Sequence, residues 1–177
     1  MNRIRIHDKE FSVFISHQQI LNRVEQIAEQ INRDYEGRRP VFMVVLNGAF
    51  LFAAELYKRV TLESEIGFIR VKSYAGTSST GEVKEWNGTD IELKDRHVIL
   101  VEDIIDSGRT AKFLMDEFKH MLPADLKIAS LLVKPSAIKF PVVPDYAGFE
   151  ISDDFVIGFG LDYDGLGRNL NHLYQLV

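Results

Sequence analysis

Three short apolar segments constrain the fold of this chain more than any other feature of its sequence. They are Val41–Leu46, Val98–Val101 and Ile128–Val133. Short apolar runs without polar interruption are typical of strands that are buried on both faces of a sheet. Helical patterns lie between them, and this alternation predicts an α/β domain with a mostly parallel central sheet that is flanked by helices.

Two amphipathic segments are the strongest helix candidates. The first begins at Ser16, which forms the pattern of a capping box with Gln19 and is followed by apolar residues at helical spacing. The second is Thr110–Met121. Ile66–Val71 has the composition of a further strand, whereas Tyr74–Asp90 is rich in Gly, Ser, Thr and charged residues. A segment of that length and composition predicts a lid over a site or the two strands of a hairpin.

The composition limits the class of protein. With 177 residues, a hydrophobic fraction of 46% and no cysteine, the chain suits one domain that folds without disulfides and uses no thiol chemistry. Because proline- and aromatic-rich segments follow residue 134, we expect residues 1–177 to form one domain with a core at 16–134 and a small hood from 1–15 and 135–177.

Charge and hydropathy restrict the partners. The net charge of −5 argues against a broad nucleic-acid-binding face, which needs clustered Lys and Arg. No apolar run reaches the length of about 18 residues that a membrane-spanning helix requires. The N-terminus also lacks the apolar region of a signal peptide. We therefore expect a cytoplasmic protein with small-molecule substrates and with neither nucleic-acid nor membrane partners.

The stretch from His97 to Thr110, HVILVEDIIDSGRT, carries the clearest chemical signal. An apolar strand delivers two adjacent carboxylates, Glu102 and Asp103, to its end, and a Ser-Gly turn then leads into a helix. The first turn of a helix presents unpaired N–H groups and a partial positive charge, which together bind phosphate well. Ligands of open α/β sheets bind at the carboxyl ends of the strands, where this turn is expected.

This turn differs from the common glycine-rich phosphate loops. It matches neither G-x-x-x-x-G-K-[ST] nor G-x-G-x-x-G, and its carboxylates precede the glycine. An Asp-Ser-Gly turn by itself is also an ordinary helix cap. A cap needs only one carboxylate, however, so the full pattern of apolar strand, two acids, two apolar residues and D-S-G-R-T is more specific than capping.

The full pattern resembles the signature by which type I phosphoribosyltransferases, in particular their hypoxanthine/guanine branch, bind 5-phosphoribosyl-1-diphosphate. Further motifs of that family follow in its order over most of the chain: Leu46-Asn47-Gly48, Lys72-Ser73-Tyr74, Leu131-Leu132-Val133-Lys134, Phe155-Val156-Ile157-Gly158, Leu161-Asp162-Tyr163 and Arg168-Asn169-Leu170-Asn171-His172. The resemblance implies the type I phosphoribosyltransferase fold and Mg²⁺-assisted transfer of a phosphoribosyl group to a purine.

The resemblance also assigns a group of residues to each part of the substrates. The phosphoribosyl group is assigned to Glu102, Asp103, Ile105, Asp106, Ser107, Gly108, Arg109 and Thr110. The diphosphate is assigned to Leu46, Asn47, Gly48 and Arg168. The purine is assigned to Lys134, Phe155, Val156 and Asp162. The lid is assigned to Lys72, Ser73 and Tyr74, and the Mg²⁺ ligands to Glu102, Asp103 and Asp162.

Three of these residues have chemical roles that the resemblance makes specific. Asp106 is the expected catalytic residue, which exchanges a proton with purine N7. Lys134 is expected to donate to the 6-oxo group, which separates hypoxanthine and guanine from adenine. Phe155 is expected to stack on the purine ring. The transition state then has oxocarbenium character, as in glycosidases.

Two departures from the family pattern concern the diphosphate. Asn47 is neutral where many relatives carry Lys or Arg, and Gly165-Leu166-Gly167 precedes Arg168 where bulkier residues are common. The first departure predicts diphosphate binding that is weaker or is compensated elsewhere. The peptide between Leu46 and Asn47 is typically cis in the family, a geometry that the sequence does not determine.

Purine salvage that makes IMP, and also GMP, is the leading hypothesis. One alternative is a phosphoribosyltransferase that prefers guanine or xanthine, since recognition at purine C2 depends on backbone contacts. Another is a regulator that senses phosphoribosyl diphosphate without turnover. The family implies a homo-dimer or homo-tetramer, for which the apolar segment Ala49–Tyr57 is either an interface or part of the core.

Overall fold

The computed structural model describes residues 3–73, 83–86 and 88–177. Its helices are α1 (His17–Asp34), α2 (Phe50–Tyr57), α3 (Arg109–Lys119) and a short 3₁₀ turn (Pro135–Ala137). Its strands are β1 (Arg3–Ile6), β2 (Lys9–Ile15), β3 (Val41–Leu46), β4 (Glu65–Ser73), β5 (Val83–Trp86), β6 (His97–Ile105), β7 (Asp125–Val133), β8 (Tyr146–Glu150), β9 (Val156–Ile157) and β10 (Leu173–Leu176).

The larger sheet contains β5-β4-β3-β6-β7-β8 in that order. All neighbours are parallel except β5, which pairs antiparallel with β4 at one edge. The predicted α/β fold with a mostly parallel sheet is confirmed. Pairing of β6 with β7 continues to Ile105 and Val133, so β6 is longer than the predicted Val98–Val101. Glu102 and Asp103 therefore lie within the strand, because the ladder continues past them.

Helices cover both faces of this sheet. Ser16 and the third residue of α1 form the predicted capping box. In β3, Phe42 and Val44 pack in the same cluster as the apolar residues of α1 and α2, whereas Met43 packs with Leu114 of α3. Both faces of β3 are thus buried, as its uninterrupted apolar sequence predicts. Among the helices of the described ranges, none is long and apolar enough to cross a membrane.

A second sheet is antiparallel and has the order β1-β2-β10-β9. Phe11, Ile157 and Tyr174 form its buried cluster. The N-terminal and C-terminal segments that were expected to build a hood meet in this sheet. β8 also follows residue 134, but it pairs in parallel with β7 and so belongs to the larger sheet. The exact division of the chain into core and hood stays a prediction.

β5 is fixed to α3 through its last residue. Trp86 Nε1 donates to Glu117 Oε2 at 3.2 Å, and the indole lies edge-on to the ring of Phe118 at a centroid distance of 5.4 Å. Trp86 thus anchors β5 to α3. The described part of Tyr74–Asp90 contains one strand, β5, and its antiparallel partner β4 ends before this segment begins. The interpretation of the segment as a lid stays a prediction.

Candidate active site

The turn between β6 and α3 is held in place by the segment that follows β7. Ser107 O accepts hydrogen bonds from the N–H groups of Lys139 at 2.9 Å and Phe140 at 3.1 Å. Gly108 has a φ of +80°, and a Cβ there would lie 2.8 Å from Phe140 O. Backbone conformation and close approach therefore both favour glycine. α3 begins directly after Gly108, and its N-terminus provides the partial positive charge that attracts anions.

This turn lines a cavity of about 310 Å³ at the carboxyl end of the larger sheet. All eight predicted phosphoribosyl residues line it: Glu102, Asp103, Ile105, Asp106, Ser107, Gly108, Arg109 and Thr110. Leu46 and Gly48 of the predicted diphosphate loop line it as well. The guanidinium of Arg109 stands over the ring of Phe140, with its carbon 4.9 Å from the centroid. The cavity therefore combines a helix N-terminus with carboxylates.

The two acids of β6 are poorly solvated. Burial raises the pKa of Glu102 well above its usual range, and the charge of Asp103 adds to this shift. Glu102 Oε1 has no hydrogen-bond partner among the described residues. Burial also raises the pKa of Asp103 to about 6, although the N–H of Ile104 donates to Asp103 Oδ1 at 2.9 Å. A bound cation would stabilise the charged form of both groups.

The loop after β3 approaches its neighbours very closely. Its first peptide, Leu46-Asn47, is cis. A Cβ on Gly48 would overlap Asp103 Oδ2, and a Cβ on Gly160 would overlap the carbonyl oxygen of Gly48. The loop is thus wedged between β6 and the segment that follows β9. Asn47 is exposed and does not line the cavity.

Arg168 is fixed by interactions on both sides of its guanidinium. Nη2 lies 2.5 Å from Asp162 Oδ1, and Nη1 donates to the carbonyl oxygen of Gly160 at 2.6 Å. The N–H of Gly160 in turn donates to Arg168 O at 3.0 Å. Asp162 Oδ2 also accepts from the N–H of Gly165 at 2.7 Å. The side chain of Arg168 is therefore held in a defined position, although a glycine-rich segment precedes it.

A second cavity of about 170 Å³ adjoins the first. Asp103, Ile104 and Asp106 line both cavities. The other residues of the second cavity are the four predicted purine residues and one more: Lys134, Phe155, Val156, Asp162 and Leu161. A ligand that fills both cavities would thus contact Asp106 at their junction.

Lys134 and Phe155 provide the polar and aromatic sides of the second cavity. Lys134 is buried, and its Nζ lies 3.5 Å from Asp106 Oδ2 and 3.5 Å from Asp153 Oδ1. Phe155 is 40% exposed, so its ring belongs to the wall of an open cavity and not to the core. The ring is supported from behind by Tyr163, at a centroid distance of 5.7 Å.

Comparison with known proteins identifies the family. Residues 14–164 match the phosphoribosyl transferase domain family. The hypoxanthine-guanine phosphoribosyltransferase of Lactococcus lactis subsp. lactis is 41% identical over 162 residues, which cover 91% of this chain and 88% of that protein. The chain belongs to the hypoxanthine-guanine phosphoribosyltransferase family.

Solved structures of the family share the whole fold. A hypoxanthine-guanine phosphoribosyltransferase from Bacillus anthracis has a TM-score of 0.87 at 39% identity and covers 94% of this chain and 96% of its own. The hypoxanthine phosphoribosyl transferase of Trypanosoma cruzi has a TM-score of 0.89 at 32% identity, with coverages of 98% and 95%. The protein is thus a phosphoribosyltransferase, an enzyme of the glycosyltransferase class, with the type I fold.

The carboxylates of this family member suit a hard divalent cation. Glu102, Asp103 and Asp162 offer the oxygen ligands that Mg²⁺ prefers, and Glu102 Oε1 is a buried acceptor without a partner in the described part of the chain. In the described part of the chain, no group of three or more His, Cys, Asp or Glu side chains is already arranged as a metal site. Substrate oxygens would therefore have to complete the coordination.

Some residues that the phosphoribosyltransferase resemblance assigned do not line the two cavities or are not fully described. Asn47 and Arg168 line neither of them. Tyr74 lies outside the described residues, and Lys72 and Ser73 are described only as backbone at the end of β4. Asp153, which contacts Lys134, was not among the residues predicted from the sequence. The acidic pair directly before Phe155 is the signal that would have found it.

Proposed function

We propose that the protein transfers the 5-phosphoribosyl group of 5-phosphoribosyl-1-diphosphate to N9 of hypoxanthine and guanine, with loss of diphosphate. The observation that supports this most strongly is the junction of the two cavities. Asp106 lines both the cavity with the phosphate-type turn and the cavity with Lys134 and Phe155. A sugar in the first and a base in the second would meet at this carboxylate, where the new bond forms.

The first cavity takes the phosphoribosyl group. The 5′-phosphate binds the turn from Ser107 to Thr110, where backbone N–H groups, two hydroxyls and the dipole of α3 converge. Glu102 and Asp103 face the ribose hydroxyls and the cation. Leu46, Asn47 and Gly48 bind the diphosphate through the backbone of their loop. Because Asn47 is neutral and exposed, its side chain contributes little charge to this binding.

The second cavity takes the purine. Phe155 stacks on the ring, and the backbone of Val156 contacts its edge. The Lys134 ammonium donates to the 6-oxo group of hypoxanthine or guanine. Adenine carries an amino group at this position, so two donors would face each other and one would stay unpaired. The site thereby favours 6-oxopurines.

Asp106 acts on the base during transfer. As N9 bonds to C1 of the ribose, the bond from C1 to the diphosphate oxygen breaks, and the electron pair leaves with the diphosphate. Asp106 accepts the proton from purine N7, so that the base is neutral once N9 is bonded to C1. Proton transfer of this kind contributes about 10²–10⁴-fold to a rate. Arg168 lies near the departing diphosphate, where a planar guanidinium suits its oxygens.

Mg²⁺ is the proposed cofactor, held by Glu102, Asp103 and Asp162 together with substrate oxygens. When bound, it neutralises part of the charge on the diphosphate and so makes it a better leaving group. Asp162 is shared with Arg168 through their ion pair, so diphosphate and cation bind next to each other.

Three further parts of the proposal concern the surroundings of the reaction. Lys72, Ser73 and Tyr74 open a lid that excludes water from the ribosyl cation. The protein acts in the cytoplasm, on small molecules and without a nucleic-acid partner. It assembles as a homo-dimer or homo-tetramer. For Ala49–Tyr57 as an interface, the support is the exposed ring of Phe50, whereas Phe52, Ala53 and Leu56 are buried within the subunit.

The decisive experiment is an assay of IMP formation from hypoxanthine and 5-phosphoribosyl-1-diphosphate, with and without Mg²⁺. Guanine, xanthine and adenine are compared under the same conditions, which also tests the alternative base preferences. We expect hypoxanthine and guanine to react best and adenine least. Adenine as the best substrate would refute the role of Lys134.

Asp106→Asn tests the catalytic assignment. We expect kcat to fall about 10²–10⁴-fold, because the amide no longer accepts a proton, while the KM values stay close to those of the wild type. Full turnover by this variant would refute the role of Asp106. Binding of phosphoribosyl diphosphate by a wild-type protein that forms no IMP would favour a sensor instead of an enzyme.

A further inference from the structure

We infer that Asp153 is a positioning residue that aims the Lys134 ammonium at the 6-position of the bound purine and thereby sets the preference for 6-oxopurines. The inference rests on the proposed function, in which Lys134 donates to the 6-oxo group. Asp153 is not among the residues that line the purine cavity, so it acts on the base only through Lys134.

The backbone brings Asp153 to Lys134. Val133, the last residue of β7, pairs with Glu150, the last residue of β8. The ladder continues one step further, because the N–H of Ile151 donates to Val133 O at 2.9 Å. Asp153 follows in the turn before β9. It lies next to Lys134, the residue that directly follows β7. Strand pairing therefore brings the turn that carries Asp153 beside Lys134.

Two carboxylates compete for the ammonium of Lys134. Asp106 Oδ2 and Asp153 Oδ1 both lie 3.5 Å from Nζ. The contact with Asp153 has the geometry of a hydrogen bond, whereas the contact with Asp106 is an ion pair. The Lys134 side chain is 8% exposed, and those of Asp106 and Asp153 are 56% and 70% exposed. The ammonium is thus the buried member of the triad, and the carboxylates lie at its solvent side.

The number of donors on an ammonium explains why the second carboxylate matters. Lys134 has three N–H donors. Partners on two sides restrain two of these donors and leave the third for the purine oxygen. Without Asp153, Asp106 is the remaining partner of the two, and the buried ammonium is drawn toward it because an unpaired buried charge is unfavourable. The base then loses its donor, and Asp106 becomes engaged by the lysine.

The chain provides a matched control in the next residue. Asp154 carries the same charge in the same turn, but its carboxylate accepts a hydrogen bond from the Ser152 hydroxyl, whereas the carboxylates paired with Lys134 are those of Asp106 and Asp153. Asp153→Asn and Asp154→Asn therefore change net charge equally at adjacent positions. Asp153→Glu keeps the carboxylate and tests whether charge and reach restore the effect.

The test compares steady-state kinetics of these variants with hypoxanthine and adenine. For Asp153→Asn we expect KM for hypoxanthine to rise about 10–150-fold, the fold-change that corresponds to loss of a hydrogen bond to a charged group. The ratio of kcat/KM for hypoxanthine over adenine should fall by a similar factor, with KM for phosphoribosyl diphosphate unchanged. Asp154→Asn should stay within about twofold of the wild type, and Asp153→Glu should recover most of the selectivity.

Binding of IMP and AMP by calorimetry checks the same ratio without turnover. Equal behaviour of Asp153→Asn and Asp154→Asn would overturn the inference. An equal rise in KM for hypoxanthine and for phosphoribosyl diphosphate in Asp153→Asn would also overturn the inference, because that pattern indicates a site that has loosened as a whole. A wild-type preference for adenine would refute the proposed function itself. A wild-type preference for hypoxanthine that persists in Asp153→Asn would refute only the role of Asp153.

Discussion

Gly108→Ala is the substitution that most directly tests how the phosphate-type turn is built. The φ of Gly108 is +80°, and an added Cβ would lie 2.8 Å from Phe140 O. Gly165 is a control of almost equal conformation, with a φ of +82° and no atom within 4 Å of an added Cβ. Alanine at Gly165 also keeps the N–H that donates to Asp162. Alanine therefore causes nearly the same backbone strain at both sites, but only at Gly108 does its Cβ clash with a neighbouring atom.

The structure provides a magnitude for each variant. A left-handed alanine costs about 1–2 kcal/mol of folding free energy at either position. At Gly108 the carbonyl of Phe140 must also move away, which disturbs the two hydrogen bonds that Lys139 and Phe140 donate to Ser107 O. Each such bond contributes about 0.5–1.5 kcal/mol. We therefore expect Gly108→Ala to be about 1–2 kcal/mol less stable than Gly165→Ala, equivalent to about 2–8 °C in Tm for a chain of this size.

Urea denaturation and steady-state kinetics measure both consequences. The turn moves in Gly108→Ala, so KM for 5-phosphoribosyl-1-diphosphate should also rise, by about 10-fold for each 1.4 kcal/mol of binding lost. Gly165→Ala should retain the wild-type KM. Equal loss of stability in both variants, or an unchanged KM in Gly108→Ala, would show that the contact with Phe140 does not constrain the turn.

Three further predictions concern stability. Gly160→Ala should lower the unfolding free energy by about 2–4 kcal/mol in urea, because its Cβ would overlap the backbone of the loop after β3, and wild-type stability would contradict that close approach. The hydrogen bond from Tyr146 lowers the pKa of Asp34 against the opposing effect of burial. This stabilisation is present above the unfolded pKa and is lost as pH falls through the folded pKa. Asp34→Asn should therefore cost about 0.5–1 kcal/mol at pH 7 and progressively less as pH falls below the unfolded pKa of 3.8, and a loss independent of pH would refute it. Ser16→Ala should lower Tm by the equivalent of about 1 kcal/mol, since it removes the capping box of α1, whereas an unchanged Tm would show that the cap contributes nothing.

The phosphate-type turn was predictable because its signal is local. A buried strand, a small turn and a helix N-terminus are adjacent in the sequence, and the eight residues assigned to the phosphoribosyl group all line one cavity. The purine residues come from three separate segments. Their assignment depended on family resemblance, since neither the spacing of Lys134 and Phe155 nor their residue types indicate that they share a cavity.

The contacts that no pattern indicated are long-range. Asp153 reaches Lys134 because β8 pairs in parallel with β7, and the short run YAGFE does not reveal its place in the larger sheet. The position of β8 also explains why residues after 134 contribute to both sheets. The N-terminal strands β1 and β2 lie in one sheet with β10 and β9, because the partner of an antiparallel strand can come from the other end of the chain.

The sequence by itself determined the α/β class, the buried strands, the capped first helix and the anion-binding turn, because each depends on periodicity or residue type over a few neighbouring positions. Only the tertiary structure decided the cis geometry of Leu46-Asn47, the wedge of Gly48 between Asp103 and Gly160, and the placement of Arg168. It also decided the sharing of Lys134 between two carboxylates. These features are set by packing between segments far apart in the chain, where a glycine or a charge has no local signature.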